Sequence, residues 1–323
     1  MIYSNKFLLN FYFGVVNHFG RAPVKIVTWL NLKQRTVKIP TTCRVLSFDK
    51  IYLYVYMTVV YLSPVTVAAL QSSVNNSLTS VIVIPEGTYT LTGFIDISRN
   101  NLTIEASGNV VFTGGNVSFG IRGDNCTLKN LQFINTSAFM GILNKTIKKI
   151  YSANDLITVI GKNNTITGVN MKGVYAYHMI YVDGPSQNTV ISYTNIENKK
   201  IDANNLTGAP LLNSMIQLIG NLASPTKPNN TIIHHCSFQN MLGSGGDFGC
   251  EPIRIGNSSV NLCNLSTIVE YCVFNNVGLS DNETISVKST NNVIRYNTLS
   301  NSPYATFSFS AMVIIMLPME TFL

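Results

Sequence analysis

One pattern recurs through most of this chain. An asparagine-rich turn leads into a short β-branched run, and apolar residues then follow at alternate positions. Copies begin at Asn100 (NNLTIEASGNVVF), Asp124 (DNCTLKNLQFINT), Asn163 (NNTITGVNMKGV), Gln187 (QNTVISYTNIEN), Asn229 (NNTIIHHCSFQN), Leu265 (LSTIVEYCVFNN) and Asn291 (NNVIRYNTLSNS). Successive starts lie 24, 39, 24, 42, 36 and 26 residues apart. Alternation is strand spacing, and no copy shows the 3.6-residue period of a helix. A period of about two dozen residues suits one turn of a solenoid, and longer gaps suit a turn carrying a loop. A single such turn cannot bury its own apolar face, but stacked turns share one continuous core. The chain is therefore expected to be all-β, a single-stranded right-handed parallel β-helix. A β-sandwich would need repeated tight hairpin signals. Asn-Gly is absent, and the single Asp-Gly, at Asp183, runs into Pro185.

Asparagine supports the same reading. It accounts for 38 of the 323 residues, and it tolerates the left-handed backbone of tight turns. At equivalent turns, Asn of one coil is expected to hydrogen-bond to Asn of the next.

Charge is distributed unevenly. The formal net charge is +7, but residues 1–57 hold eight Lys or Arg and one acid, and the remainder is neutral. The basic character gives no ground for a nucleic-acid partner of the main domain. The apolar segment 51–69 (IYLYVYMTVVYLSPVTVAA) reads as a secretory signal, or else as an N-terminal cap of the domain. Its tyrosines, Ser63 and Pro64 make it a poor membrane span. Twelve Asn-x-Ser/Thr sequons fit a secreted glycoprotein. The expected organisation is an arm over 1–69, the β-helix over 70–309, and an atypical tail over 310–323. Within the β-helix, LQSSVNNSLTSVIVIPEGTYTL opens as a short amphipathic helix followed by a buried strand.

Six cysteines show no CxxC pair, which argues against zinc. Cys250 and Cys263 bracket a loop and could be bridged. Cys236 and Cys272 fall at one place in two copies and would stack, with or without a bond. The stretches 175–186 and 207–227 read as insertions between coils.

Chemistry concentrates between Cys250 and Ser302. Asp281 and Glu283 stand two apart, which on a strand puts them on one face. Lys288 follows five residues after Glu283, on the opposite face of a straight strand. Arg254 could fork onto a substrate carboxylate or pair with Glu251. The adjacent His234 and His235 read as structural, since one must face outward on any strand.

The blocks EPIRIG (251–256), DNETISVKS (281–289) and NNVIRYNT (291–298) resemble, in order and spacing, the chondroitinase B and alginate lyase family of polysaccharide lyases. HHCSFQN at 234–240 and the opening at 70–89 are similar too, so the resemblance spans about residues 68–309. It implies a pectin-lyase-like β-helix that cleaves an acidic, uronate-containing polysaccharide by calcium-assisted β-elimination. By position it makes Asp281 and Glu283 acidic ligands of Ca2+, with Asp247 beside the place of the family's ligand Asn, and Lys288 the base. Arg254, read from its chemistry alone, is the candidate substrate-binding residue. The chemistry is coherent: calcium neutralises the carboxylate that activates the C5 proton, and a lysine amine removes it. The family's Arg-His-Gly would fall near Phe309 or Ser310, where the chain reads TFSFSAMVIIMLPMETFL. Either the chain is cut short there or it has lost that acid. Two alternatives follow. One is a catalytically inactive secreted β-helix that binds glycan. The other, a glycoside hydrolase, would need two carboxylic acids placed across a bond, and the repeats hold no Asp-Asp pair. A monomer outside the cell is expected.

Overall fold

The computed structural model describes residues 58–139, 155–200, 214–219, 227–241, 251–256, 263–277 and 283–302. It also gives the backbone of strands Phe11–Asn17, Gly20–Ile26, Cys43–Phe48, Ile51–Tyr56, Thr306–Phe309, Ile314–Met316 and Glu320–Thr321. The first four of these pair as two antiparallel hairpins outside the solenoid sheets.

The rest is a parallel stack, the expected right-handed β-helix. The strands lie in three rows. Thr79–Tyr89 and Thr103–Phe112 each run through the first two rows as one long strand, and from Thr127 onward these rows are separate short strands. The first row runs Thr127–Lys129, Thr165–Thr167, Val190–Ser192, Ile232–His234, Ile268–Glu270 and Asn292–Arg295, every neighbouring pair parallel. The second row runs Gln132–Ile134, Asn170–Lys172, Asn195–Glu197, Ser237–Gln239, Val273–Asn275 and Thr298–Ser300. The third is an eight-stranded sheet: Thr92–Ile97, Asn116–Ile121, Ile157–Val159, Ile180–Asp183, Ile216–Ile219, Ile253–Gly256, Glu283–Lys288 and Thr306–Phe309.

Register turns sequence alternation into columns. Inward residues of the first row stack as Leu128, Ile166, Ile191, Ile233, Val269 and Ile294. Those of the second stack as Phe133, Met171, Ile196, Phe238, Phe274 and Leu299. All but Leu299 are buried. Phe238 and Phe274 lie 4.9 Å apart with rings almost parallel. Burying such columns drives the stacking, at roughly 25 cal/mol per Å2 of apolar surface.

The corners explain the asparagines. Asn101, Asn125, Asn163, Asn188, Asn230 and Asn291 all have φ between 55° and 59°. One left-handed residue turns the chain from one strand toward the next, and Asn accepts that conformation most readily after Gly. The amides then link coil to coil: Asn125 donates to Asn101 (3.1 Å), Asn163 to Asn125 (3.1 Å), Asn188 to Asn163 (2.8 Å) and Asn230 to Asn188 (3.2 Å). At the corner between the first and second rows, Tyr193, His235, Tyr271 and Tyr296 hold φ of 50°, 53°, 53° and 54°. Bulky residues rarely adopt that backbone. Here their rings stack coil on coil at 5.1, 5.2 and 5.1 Å, which offsets the strain. His235 is thus structural, as expected, and His234 Nδ1 lies 2.9 Å from His235 Nδ1.

The helix expected at the opening spans Val67–Asn75, capped by Thr66, whose side chain accepts the Ala69 N–H. Leu70 and Val74 seal the first coil, and Gln71 exchanges two hydrogen bonds with the Asp96 backbone. Within the apolar segment 51–69, Thr58–Tyr61 pairs parallel with Thr79–Tyr89, and Val59 and Leu62 are buried.

Two expectations are corrected. The stretches 175–186 and 207–227 are not simply insertions, because Ile180–Asp183 and Ile216–Ile219 are regular strands of the eight-stranded sheet. The alternation Ile180, Val182 was present but masked by aromatic neighbours. Cys263 is a free thiol, so the bridge to Cys250, which lies outside the described residues, does not form. Cys236 and Cys272 are free and stacked in the core.

Asn163→Ala removes two amide hydrogen bonds and puts a Cβ-bearing residue with no local polar compensation at φ 55°. It should destabilise the chain by about 2 kcal/mol. Asn163→Gly, which tolerates the backbone, should cost about half of that. Urea denaturation of the two variants separates the backbone and hydrogen-bond contributions.

Candidate functional site

In a strand of the eight-stranded sheet, alternate residues point into the core. Ile180 and Val182, Ile216 and Leu218, Ile253 and Ile255, Ile285 and Val287 are all buried this way. The residues between them face outward and lie in register as Thr158, Tyr181, Gln217, Arg254 and Ser286. An outward row should be wet, yet Thr158 and Gln217 are 2% exposed, Arg254 8% and Ser286 fully buried. A covered, polar outer face is unusual for a solenoid sheet, because burying a guanidinium is costly.

Arg254 meets the Glu251 carboxylate, with Nε 3.9 Å from Oε1. The structural alternative for Arg254, pairing with Glu251, is thus present. Arg254 Nε and the Oγ of its register partner Ser286 are buried and make no hydrogen bond among the described residues. Native interiors leave few such atoms, and clusters of them mark places completed by water or ligand.

Lys288 ends the strand Glu283–Lys288 and shares the outward parity of Ser286. It is half-buried and pairs in register with Gly256. That glycine is required. Its φ is +85°, and a Cβ there would sit 2.7 Å from the Lys288 carbonyl oxygen. Gln217 Nε2 donates to the Gly256 carbonyl at 3.4 Å, and Ser214 donates to Gln217 Oε1 at 3.2 Å. Beyond Lys288, Ser289 donates to the Ile255 carbonyl, and Asn292 Nδ2 donates to the Ser289 carbonyl and Oγ. The backbone carrying the lysine is thereby fixed from both sides.

The opposite faces expected for Glu283 and Lys288 on a straight strand are not a fair description. The pairing with Thr306–Phe309 shifts register between Glu283 and Ile285, so strict alternation breaks there. The register Ile253 to Ile285 also sets Glu251 and Glu283 at matching positions two residues upstream in adjacent coils. Asp281 and Asp247 lie outside the described residues. Among the described residues no group of three or more His, Cys, Asp or Glu could hold a metal. Glu251 and Glu283 do offer carboxylate oxygen, the donor type a hard cation takes.

Sequence reading did not single out a second cluster on this face. Asp155 and His178 precede the strands Ile157–Val159 and Ile180–Asp183. His178 Nδ1 is 2.8 Å from Asp155 Oδ1, with both side chains nearly inaccessible. The imidazole stacks on the outward Tyr181 ring at 5.1 Å and meets Tyr177 edge-on at 4.9 Å. Burial, with the Asp183 and Asp155 charges adding, pushes the Tyr181 phenol above its ordinary range. The alternation of YAYHMIYVDG was the signal that could have placed Tyr181 on this face.

No protein-family model matches the sequence, and no curated protein is similar to it. Solved structures are similar in fold. One is the complex structure of alginate lyase AlyF-OU02 with G6, at 19% identity and TM-score 0.55, covering 79% of this chain and 51% of that one. Another is a mannuronic acid specific polysaccharide family 6 lyase enzyme from human gut microbiota, at 22% identity and TM-score 0.57, covering 75% and 54%. The chain thus spans about half the length of the structures it matches, and what it shares with these lyases is the parallel β-helix.

Gly256→Ala should disturb the Lys288 backbone directly. We expect a loss of about 2–4 kcal/mol from the left-handed backbone and the carbonyl clash together, read from urea midpoints. Glu251→Gln should cost about 3 kcal/mol by leaving the Arg254 charge buried without its carboxylate. An Arg254→Met, Glu251→Gln double variant should recover much of that loss.

Proposed function

We propose that this chain is a polysaccharide lyase that cleaves a uronate-containing glycan, of alginate or chondroitin and dermatan type, by β-elimination. The observation that carries the reading is Lys288 on the outer face of the sheet, with the buried Arg254–Ser286 pair in the adjoining row. It is strengthened by the β-helix shared with alginate lyase structures.

Each residue has a task in this reading. Arg254, held by Glu251, binds a substrate carboxylate through its guanidinium fork. The Lys288 amine takes the proton from C5 of the uronate ring. The electron pair left on C5 forms the C4–C5 double bond as the C4–O bond breaks. The leaving oxygen takes a proton from the Lys288 ammonium or from water. The products are a 4,5-unsaturated uronate end and a new free end on the other fragment. Asp281, Glu283 and Asp247 would hold calcium, which when bound neutralises the carboxylate and makes the C5 proton easier to remove. The fixed backbone around Gly256 and Ser289 sets where the lysine side chain leaves the sheet, and part of the gain from a positioned base arises from such placement.

We further propose that the protein acts outside the cell as a monomer. No helix among the described residues is long and apolar enough to cross a membrane.

The test is absorbance of the unsaturated uronate product. The full chain is offered alginate and dermatan-type glycan, with calcium or with chelator. Elimination predicts a calcium-dependent rise that falls about 100- to 10,000-fold in Lys288→Ala, the usual worth of a general base. Absence of any rise with calcium present would overturn the reading.

A further inference from the structure

The Asp155–His178–Tyr181 cluster has no part in the elimination step. His178 and Tyr181 lie three coils before the Lys288 strand in the eight-stranded sheet, and Asp155 four, so the imidazole is about 14 Å away along the axis at the usual strand spacing. That is too far to act on the same bond and near enough for a bound chain of several sugar units to touch both.

Its chemistry is incomplete in one specific way. A carboxylate can only accept, so the short contact with Asp155 Oδ1 puts the proton on His178 Nδ1. Nε2 is then the ring's remaining polar atom, an acceptor in the neutral imidazole. That atom is buried and makes no hydrogen bond among the described residues, in a side chain only 6% exposed. Asp155 Oδ1 also accepts the His178 backbone N–H at 3.3 Å, and the Tyr181 stack fixes the other face of the ring. The imidazole is therefore oriented on two sides, and a polar atom is left open on a third. An unpaired buried acceptor costs about 1–3 kcal/mol, and no packing need is visible that Phe or Leu would not meet better.

We propose that Asp155, His178 and Tyr181 form a second glycan-binding subsite, in which His178 Nε2 accepts a hydrogen bond from a sugar hydroxyl of a chain lying along the outer face. Asp155 is a positioning residue that sets the tautomer, and Tyr181 supplies the wall. Tyr177, half-buried and edge-on to the imidazole, borders it on a further side. The proposal rests on the reading of this face as a uronate-glycan groove, but it does not require cleavage.

The experiment measures calorimetric binding of a uronate hexasaccharide and a uronate disaccharide to the full chain carrying Lys288→Ala, so that nothing is consumed. Adding His178→Ala should weaken the hexasaccharide about tenfold, the worth of one buried hydrogen bond. Disaccharide affinity should stay the same, because a ligand that short does not reach both sites. His178→Phe keeps a stacked ring and should show the same loss, which guards against a variant that fails to fold. In a histidine-selective 15N spectrum, the His178 Nε2 signal should move on addition of hexasaccharide, a response that a purely structural imidazole would not give. Equal hexasaccharide affinity with and without His178, an unmoved Nε2 signal, or no hexasaccharide binding at all would each overturn the subsite. Binding with the expected loss, in a protein that never yields unsaturated product, would leave the subsite standing and remove the lyase reading alone.

Discussion

The interaction on which the rest depends is the parallel hydrogen bond from one coil to the next. It holds neighbouring strands about 4.8 Å apart and repeats along all three rows. Once that spacing is set, like residues must stand above like. Apolar residues become columns, corner amides become a ladder, and aromatic side chains become a stack. Each coil then needs its neighbours, since its inward face is covered only by them. The helix Val67–Asn75 answers this need at the first coil, where Leu70 and Val74 cover apolar positions that would otherwise face water.

The same register builds the candidate site. Arg254, Ser286 and Lys288 are brought together because Ile253 pairs with Ile285 and Gly256 with Lys288. Nothing in the local sequence of either segment would hold them side by side. Two residues adapt the regular scaffold to the task. Gly256 lets the chain take a left-handed turn against the Lys288 carbonyl, and the irregularity near Glu283 frees that residue from strict alternation. The buried polar atoms of the outer row are a departure from good packing, and such departures cluster where a ligand completes the structure.

How much of this was legible depended on the kind of signal. The fold was, because Asn at a left-handed corner followed by Ile-x-x-x-x-Phe spacing is a local pattern repeated many times. Copies such as NNTIIHHCSFQN carried corner, first strand and second strand together. The third strand was harder. Its approach lies beside loops of different length, so Ile180–Asp183 and Ile216–Ile219 fell inside stretches that looked like interruptions. Lys288 and Arg254 could be picked out as candidates from motif spacing. The Asp155–His178 contact could not, because it joins two residues 23 apart whose proximity depends on coil register. Cysteine pairing failed for a related reason. Two cysteines bracketing a loop say nothing about where their side chains point, and Cys263 is a free thiol.

The stacked corner formed by Tyr193, His235, Tyr271 and Tyr296 has a consequence of a different kind. Three of its four rings are phenols held at van der Waals spacing in a fixed orientation, and their outer edges face solvent. The single tryptophan, Trp29, lies in the arm before the solenoid, so the optical signature of the coils themselves belongs to tyrosine. A column of closely stacked, chirally arranged chromophores couples electronically only while the coils keep their register. The protein thus carries on its surface an intrinsic gauge of coil order. It can be read in the near ultraviolet without a label and reports on the later coils, where Arg254 and Lys288 reside.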